Sequence, residues 1–232
     1  KAMADALASG TSVLTSLDLS KNELCGLNVF GDGTYNASGI KALASALTGS
    51  SVLTSLNIGY NGIGAEGAKA MAEMLKVNTA LTKLDISYND LTDDGDEMSG
   101  VPAIAAALKA NAALTTLILH SNHLGPEGGK AFAEALKFNT ALTSIDVGFN
   151  KLEEEVALNI VRAVKPRDQM TFLGLAQCSI GPTGAKEIAE YVQFSTALTN
   201  LNLSSNELTG PYPHNDMSGV IAIASALKVN AA

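Results

Sequence analysis

The sequence predicts an α/β solenoid of stacked strand–helix units, with parallel strands on one face and helices on the other. Three observations carry that reading. The first is a phrase spelled seven times in 232 residues: VLTSLDLSKNEL from Val13, VLTSLNIGYNGI from Val52, ALTKLDISYNDL from Ala80, ALTTLILHSNHL from Ala113, ALTSIDVGFNKL from Ala141, QMTFLGLAQCSI from Gln169 and ALTNLNLSSNEL from Ala197. In-phase copies of this kind mark units that bury their apolar faces against one another. The second is the period. One position, held by Asn22, Asn61, Asn89, Asn122, Asn150, Cys178 and Asn206, recurs at intervals of 39, 28, 33, 28, 28 and 28 residues, so the basic unit is 28. The third is where length varies. From that position to the last apolar residue of the next segment (Leu47, Leu75, Leu108, Leu136, Val164, Val192, Leu227) the offsets are 25, 14, 19, 14, 14, 14 and 21. All variation therefore falls in the loop after the phrase.

Each phrase holds one strand. Leu17 and Leu19, Leu56 and Ile58, Leu84 and Ile86, Leu117 and Leu119, Ile145 and Val147, Leu173 and Leu175, and Leu201 and Leu203 alternate with small or polar residues, the period of a half-buried strand. Each following segment holds one helix. In GAEGAKAMAEMLK the residues Ala68, Met71, Ala72 and Leu75 fall at helical spacing, and Pro126 and Pro182 stand where a first helical turn accepts proline. Ser38, Ser99 and Ser218 open the related segments SGIKALASAL, SGVPAIAAAL and SGVIAIASAL and are expected to be N-caps. The chain opens in a further helical stretch, KAMADALAS, and stops at SALKVNAA, which in earlier units leads into the next phrase. The expectation is one domain over residues 1–232, seven units after a partial helix, excerpted from a longer array.

The pattern LxxLxLxx(N or C)xL, in 28-residue units that carry full helices, resembles the ribonuclease-inhibitor-like class of leucine-rich repeats over the whole chain. The resemblance implies a horseshoe with parallel strands on the concave face and helices on the convex face. The same shape follows from spacing, because parallel strands stack about 4.8 Å apart whereas helix axes need roughly 8 to 10 Å. Seven strands then give a floor on the order of 30 Å long. Relatives with this repeat work mostly as binding surfaces, and one, the Ran GTPase-activating protein, regulates a small GTPase. The fold alone does not choose between such roles.

Within the stack, the repeated Asn is expected to turn inward and bond loop backbone of neighbouring units, since a buried amide without partners costs about 1 to 3 kcal/mol. Cys178 is the alternative occupant of that ladder, not a nucleophile. Thr15, Thr54, Thr82, Thr115, Thr143, Thr171 and Thr199 hold one position in all seven units and suggest a hydroxyl cap at the turn into each strand.

Composition narrows the partners. A net charge of −8, from 23 acidic and 15 basic residues, disfavours a nucleic-acid surface and suits a basic or neutral protein. No apolar run approaches the roughly 20 residues of a membrane helix, so no membrane insertion is expected. Two cysteines are too few for a disulfide-stapled extracellular repeat protein, which favours an intracellular, cytoplasmic setting. No cofactor is implied. The acidic loop TDDGDEM lacks the ligand alternation of a calcium loop, and His120 and His123 have no evident third ligand, so no metal site is assigned.

Function is sought where units differ. On the floor the middle column of outward residues is Asp18, Asn57, Asp85, Ile118, Asp146, Gly174 and Asn202, with an aromatic row nearby at Tyr60, Tyr88 and Phe149. Ile118 with His120, and Phe172 with Gly174, interrupt an otherwise small, polar, mildly acidic surface. Candidate partner-binding residues on the floor are therefore Asp18, Asp85, Ile118, His120, Asp146, Phe149 and Phe172. A second candidate surface is the edge bearing the three long loops (25–37, 92–98 and 209–217), with Phe30, Tyr35 and Tyr212 as anchors and Asp93 and Asp94 as an acidic patch; tolerated insertion is the other reading. Unit five lacks the helix Gly of its neighbours and ends in Lys165, Pro166 and Arg167, either a lateral docking point or a drifted repeat. The function expected is a non-catalytic protein–protein interaction module, a scaffold or sensor subunit; the alternative is a regulator of a small GTPase, for which only two arginines are on hand.

Overall fold

The computed structural model describes residues 13–27, 33–92, 95, 97–210, 213 and 215–230. One seven-stranded sheet runs β1(Ser16–Asp18), β2(Ser55–Asn57), β3(Lys83–Asp85), β4(Thr116–Ile118), β5(Ser144–Asp146), β6(Phe172–Gly174) and β7(Asn200–Asn202), in chain order. Every pairing is parallel and keeps equivalent residues opposite, as in Leu56↔Leu84 and Leu84↔Leu117. The crossovers are helices α1(Ser38–Thr48), α2(Gly64–Leu75), α3(Gly100–Ala110), α4(Gly125–Leu136), α5(Glu154–Val164) and α6(Pro182–Phe194), and α7(Ser218–Asn230) follows β7. The helical stretch expected at residues 1–9 lies outside the described residues. Between sheet and helices sits one continuous core of phrase Leu, Ile and Val against helix Ala, with Leu84, Ile86, Leu117, Leu119, Ile145 and Val147 fully buried.

The asparagines turn inward as the repeat demands. Asn122, fully buried, donates from Nδ2 to the carbonyls of Ile86 and Leu119 (both 2.9 Å), and its Oδ1 accepts the Asn89 N–H (2.8 Å). Its own N–H donates to Asn150 Oδ1 (2.6 Å), so the ladder passes from unit to unit. At Cys178 the Sγ lies 3.5 Å from the Ala176 carbonyl, and the backbone N–H continues to Asn206 Oδ1 (2.9 Å). The threonines also link units. Each hydroxyl from Thr54 to Thr199 donates to the carbonyl of the preceding unit's Thr, at 3.0 to 3.3 Å. The hydroxyl therefore ties neighbouring strands together rather than closing its own turn.

The serine N-caps are a correction. No capping hydrogen bond comes from Ser38 or Ser99, and Ser38 and Ser218 lie inside their helices. The acceptor sits two residues earlier: Asn36, Glu97 and Asp216 receive the N–H of Ser38, Ser99 and Ser218, each at 2.9 Å. Serine at these positions presents its N–H to a longer side chain that reaches forward from two residues earlier, which satisfies a donor at the helix start as a cap would.

A second asparagine ladder closes the other ends of the helices. Asn78, Asn111 and Asn139 donate to Leu47, Leu75 and Leu108, the last apolar residues of the preceding helices, at 2.6 to 2.7 Å. Each Oδ1 meanwhile accepts the N–H groups two and three residues on. Unit five places Arg167 at this position, and its guanidinium donates to the Leu136 carbonyl in the same way. The next unit has Ser195, which bonds Asp168, whose backbone is left-handed (φ 43°). Burial opposes the Asp168 charge, but donors from Ser195 and Thr196 outweigh it and hold the carboxyl below its usual range. Arg162 grips Glu187 with two nitrogens (2.6 and 2.8 Å) and Glu155 with a third contact (2.5 Å).

Unit five also lacks the glycine that lets neighbouring helices approach. A Cβ on Gly100 would stand 2.6 Å from Ala68 Cβ; at the equivalent place in α5 the chain has Val156. The room comes from α4, where Gly129 replaces the alanine of units two and six (Ala68, Ala185) and a Cβ would fall 2.4 Å from Val156 Cγ1. Gly129→Ala should cost about 1 to 3 kcal/mol by overpacking, read from chemical denaturation, and most of that loss should vanish in a Val156→Ala background. Asn122→Ala should cost about 3 kcal/mol or more in the same measurement, because it strands several buried backbone groups at once.

Candidate functional site

The floor is built from the repeat upward. Residues just before and after the ladder asparagine have positive φ: 58° at Tyr60, 54° at Tyr88, 54° at Ser121, 56° at Phe149 and 50° at Gln177. This left-handed turn is what rotates the asparagine inward, and it lifts the preceding side chain to the surface. The column so formed reads Lys21, Tyr60, Tyr88, Ser121, Phe149, Gln177 and Ser205. Bulky side chains are uncommon in this backbone region, and the serine, lysine and glutamine of the other units show that the fold does not demand them.

The rings form a continuous stack. Tyr60 and Tyr88 lie parallel, 3.9 Å between centroids, and Lys21 Nζ covers the Tyr60 ring at 5.0 Å. Ser121 would break the row, and His120 from the adjacent column fills the gap: its ring is 5.2 Å from Tyr88 and 4.7 Å from Phe149. Tyr88 Oη and His120 Nε2 share a hydrogen bond of 3.2 Å, and His120 Nδ1 lies 3.8 Å from Asp146 Oδ2. Burial and the neighbouring Tyr88 push the Tyr60 hydroxyl up to about 12, so it stays neutral. Tyr88 is the most open of the rings, 40% exposed.

The middle column has a structural duty. Asp18, Asn57, Asp85, Asp146 and Asn202 each accept, through one side-chain oxygen, the N–H two residues on, at 2.9 to 3.0 Å. Hydrogen bonds from the Ser20 side chain and backbone hold the Asp18 carboxyl below its usual range. Gly174 is clearance for Asp146, since a Cβ there would sit 2.4 Å from Asp146 Oδ1. Of the floor candidates, His120, Asp146 and Phe149 come together with Tyr60 and Tyr88, and Asp85 and Ile118 lie half-buried on neighbouring strands. Phe172, on the first column opposite Ser144 and Asn200, has no ring contact among the described residues.

On the loop edge, Phe30, Asp93, Asp94 and Tyr212 lie outside the described residues. Tyr35 is 40% exposed, and its hydroxyl donates to the Ile63 carbonyl (2.8 Å), tying the first long loop to the next unit. His120 and His123 do not converge: His123 Nδ1 faces Asp90 at 3.2 Å. Among the described residues no group of three His, Cys, Asp or Glu is placed to hold a metal ion, and no helix is long and apolar enough to cross a membrane.

A family model described as "Leucine Rich repeat" matches residues 49–72, 77–95 and 110–133. Those stretches are leucine-rich repeats, and the seven parallel strands alternating with helices give the described residues the fold of a leucine-rich repeat solenoid. No curated protein matches the sequence significantly. Among solved structures it is similar to LegL7, a leucine-rich repeat-containing protein from Legionella pneumophila, at 20% identity and a TM-score of 0.59, over 96% of this chain and 65% of that one. It is also similar to a structure described as leiomodin-1 actin-binding site 2, at 18% identity and a TM-score of 0.55, over 69% of this chain and 84% of that one. At these identities the likeness establishes the fold.

Both cysteines are buried, and desolvation pushes their thiols up, Cys25 to about 11 and Cys178 to about 12. In the folded protein neither should be alkylated by iodoacetamide at neutral pH, and both should be once denaturant is added, as read by mass spectrometry.

Proposed function

We propose that this protein is a non-catalytic protein-interaction module, a scaffold or sensor subunit that holds a partner on the concave floor, centred on the stack Tyr60–Tyr88–His120–Phe149. The observation that carries this reading is the stack itself: three aromatic rings occupy strained positions that polar residues fill elsewhere, and a histidine from the next column completes the row. The left-handed backbone is common to every unit, so the fold calls for the turn but not for the rings that three units place on it. Rigid aromatic side chains supply contact area at low entropic cost, and hot spots are rich in them. The carboxylates of Asp18, Asp85 and Asp146 line the same floor, which favours a basic or neutral protein surface. Two buried, reduced thiols suit an intracellular setting.

The leiomodin-1 structure is described as an actin-binding site, an instance of this fold serving as a binding surface. The GTPase-regulator reading has no comparable support. Both arginines are committed within the chain, Arg162 to Glu155 and Glu187 and Arg167 to the Leu136 carbonyl.

Crosslinking mass spectrometry on the protein from its native source should give partner crosslinks at Lys21, which covers the Tyr60 ring, and at Lys83, on the strand that leads to Tyr88. Replacing Tyr88 and Phe149 together by alanine should then weaken that partner by at least about tenfold, a hot-spot loss, with the melting temperature little changed. Partner binding that survives the double substitution would move the contact off this part of the floor.

A further inference from the structure

The floor carries more negative charge than its turns require. In the middle column one side-chain oxygen receives the N–H two residues on, and in units two and seven an asparagine does this: Asn57 Oδ1 accepts from Gly59 and Asn202 Oδ1 from Ser204, both at 3.0 Å. Asp85 and Asp146 do the same through Oδ1 alone, from Ser87 (3.0 Å) and Gly148 (2.9 Å). Their second oxygens add nothing to the turn. Asp146 Oδ2 stands 3.8 Å from His120 Nδ1, and Asp85 Oδ2 has no hydrogen-bond partner among the described residues. Asp18 differs, because its Oδ2 takes Asn57 Nδ2 at 3.0 Å.

Asp85 and Asp146 sit on alternate strands with Ile118 between them in register, so their backbones lie about 10 Å apart, twice the strand spacing. All three side chains are half-buried, and the rings of Tyr88, His120 and Phe149 run alongside. From β3 to β7 the strands carry one ammonium, Lys83, two residues before Asp85 and exposed; it makes no ion pair with Asp85 among the described residues. No third ligand among the described residues makes the carboxylates a metal site. A polyanion is repelled by them, and an uncharged partner would strip their water without replacing it. We infer, on the binding role proposed for the floor, that Asp85 and Asp146 select a protein partner presenting two basic side chains about 10 Å apart, the separation set by the strands, with an apolar side chain between them. Each ammonium or guanidinium meets one carboxylate, the apolar group packs on Ile118, and the aliphatic stems lie along the rings. Rings beside the pair keep water away on docking, which strengthens both contacts.

The test is selection of random phage-displayed peptides on the full chain, followed by affinity measurement of the selected peptides on variants. Asp85→Asn with Asp146→Asn keeps the oxygen each turn uses, as Asn57 and Asn202 show, so its melting temperature should match the parent's. Peptides that lose binding to the Tyr88→Ala, Phe149→Ala variant are expected to carry two Lys or Arg and to bind the asparagine variant at least about tenfold more weakly. Their affinity for the parent should also fall as salt is raised, which reads the same charge contacts without any substitution. Ring-dependent peptides that lack a basic pair, that ignore salt, or that bind the folded asparagine variant as they bind the parent overturn the assignment of Asp85 and Asp146 and leave the binding role of the rings standing. A selection that returns no ring-dependent peptide overturns both.

Discussion

Everything on the concave face depends on the buried asparagine amide. A helix-backed strand three residues long cannot satisfy the backbone of the turn that follows it, and the turn is too deep for water. Asn122 resolves this by donating to a carbonyl of its own unit and to one of the preceding unit, and by accepting an N–H from that preceding unit, so that two neighbouring turns share one side chain. To point inward it needs left-handed backbone on both sides, as at Ser121 and His123. Each such non-glycine residue is strained by about 1 to 2 kcal/mol, a cost the ladder offsets in every unit. The same geometry decides which side chains reach the floor, so the position of the aromatic row is a by-product of how the amide is buried.

The divergent fifth unit shows that the constraint is chemical and not a matter of residue identity. Its helix is followed by Arg167 where units two, three, four and seven have asparagine, and the guanidinium still reaches the carbonyl that needs a donor. Arginine cannot also accept, so the pairing is rebuilt downstream by Asp168 with Ser195 and Thr196. Val156 occupies a glycine position, and Gly129 on the facing helix yields the space. Both departures are matched by a compensating residue in an adjacent unit. The unit is therefore a coupled variant, and its basic residues serve the stack before any partner.

The strands, the helices and the inward asparagines were legible because they repeat, and repetition with a fixed period has few other physical explanations. The second asparagine ladder leaves a trace in the sequence, the Lys-x-Asn that follows four of the seven helices, but its meaning lay in carbonyls one unit away that no local pattern displays. The serine caps were misread for a related reason. Ser38, Ser99 and Ser218 share a position, yet the acceptor is Asn36, Glu97 or Asp216, a side chain whose identity changes from unit to unit. At the floor, the row Tyr60, Tyr88 and Phe149 could be read from spacing. That His120 crosses from its own column to bridge the Ser121 gap could not, because it depends on ring orientation.

Repetition sets where specificity can reside. A surface identical in every unit offers a partner many equivalent registers, and binding to it would slide. The middle column, with its Asp and Asn each bonding the N–H two residues on, is close to such a surface. The ring stack breaks the translational symmetry once, over units two to five, and so defines a single register for whatever lies on the floor. The clearance Gly174 gives Asp146 strengthens that asymmetry, since the Asp146 carboxylate stands beside His120, between Tyr88 and Phe149, while Lys21 covers Tyr60 at the far end of the row. On the binding role proposed above, a carboxylate near one end of the row of rings and an ammonium over the other would orient a ligand as well as locate it.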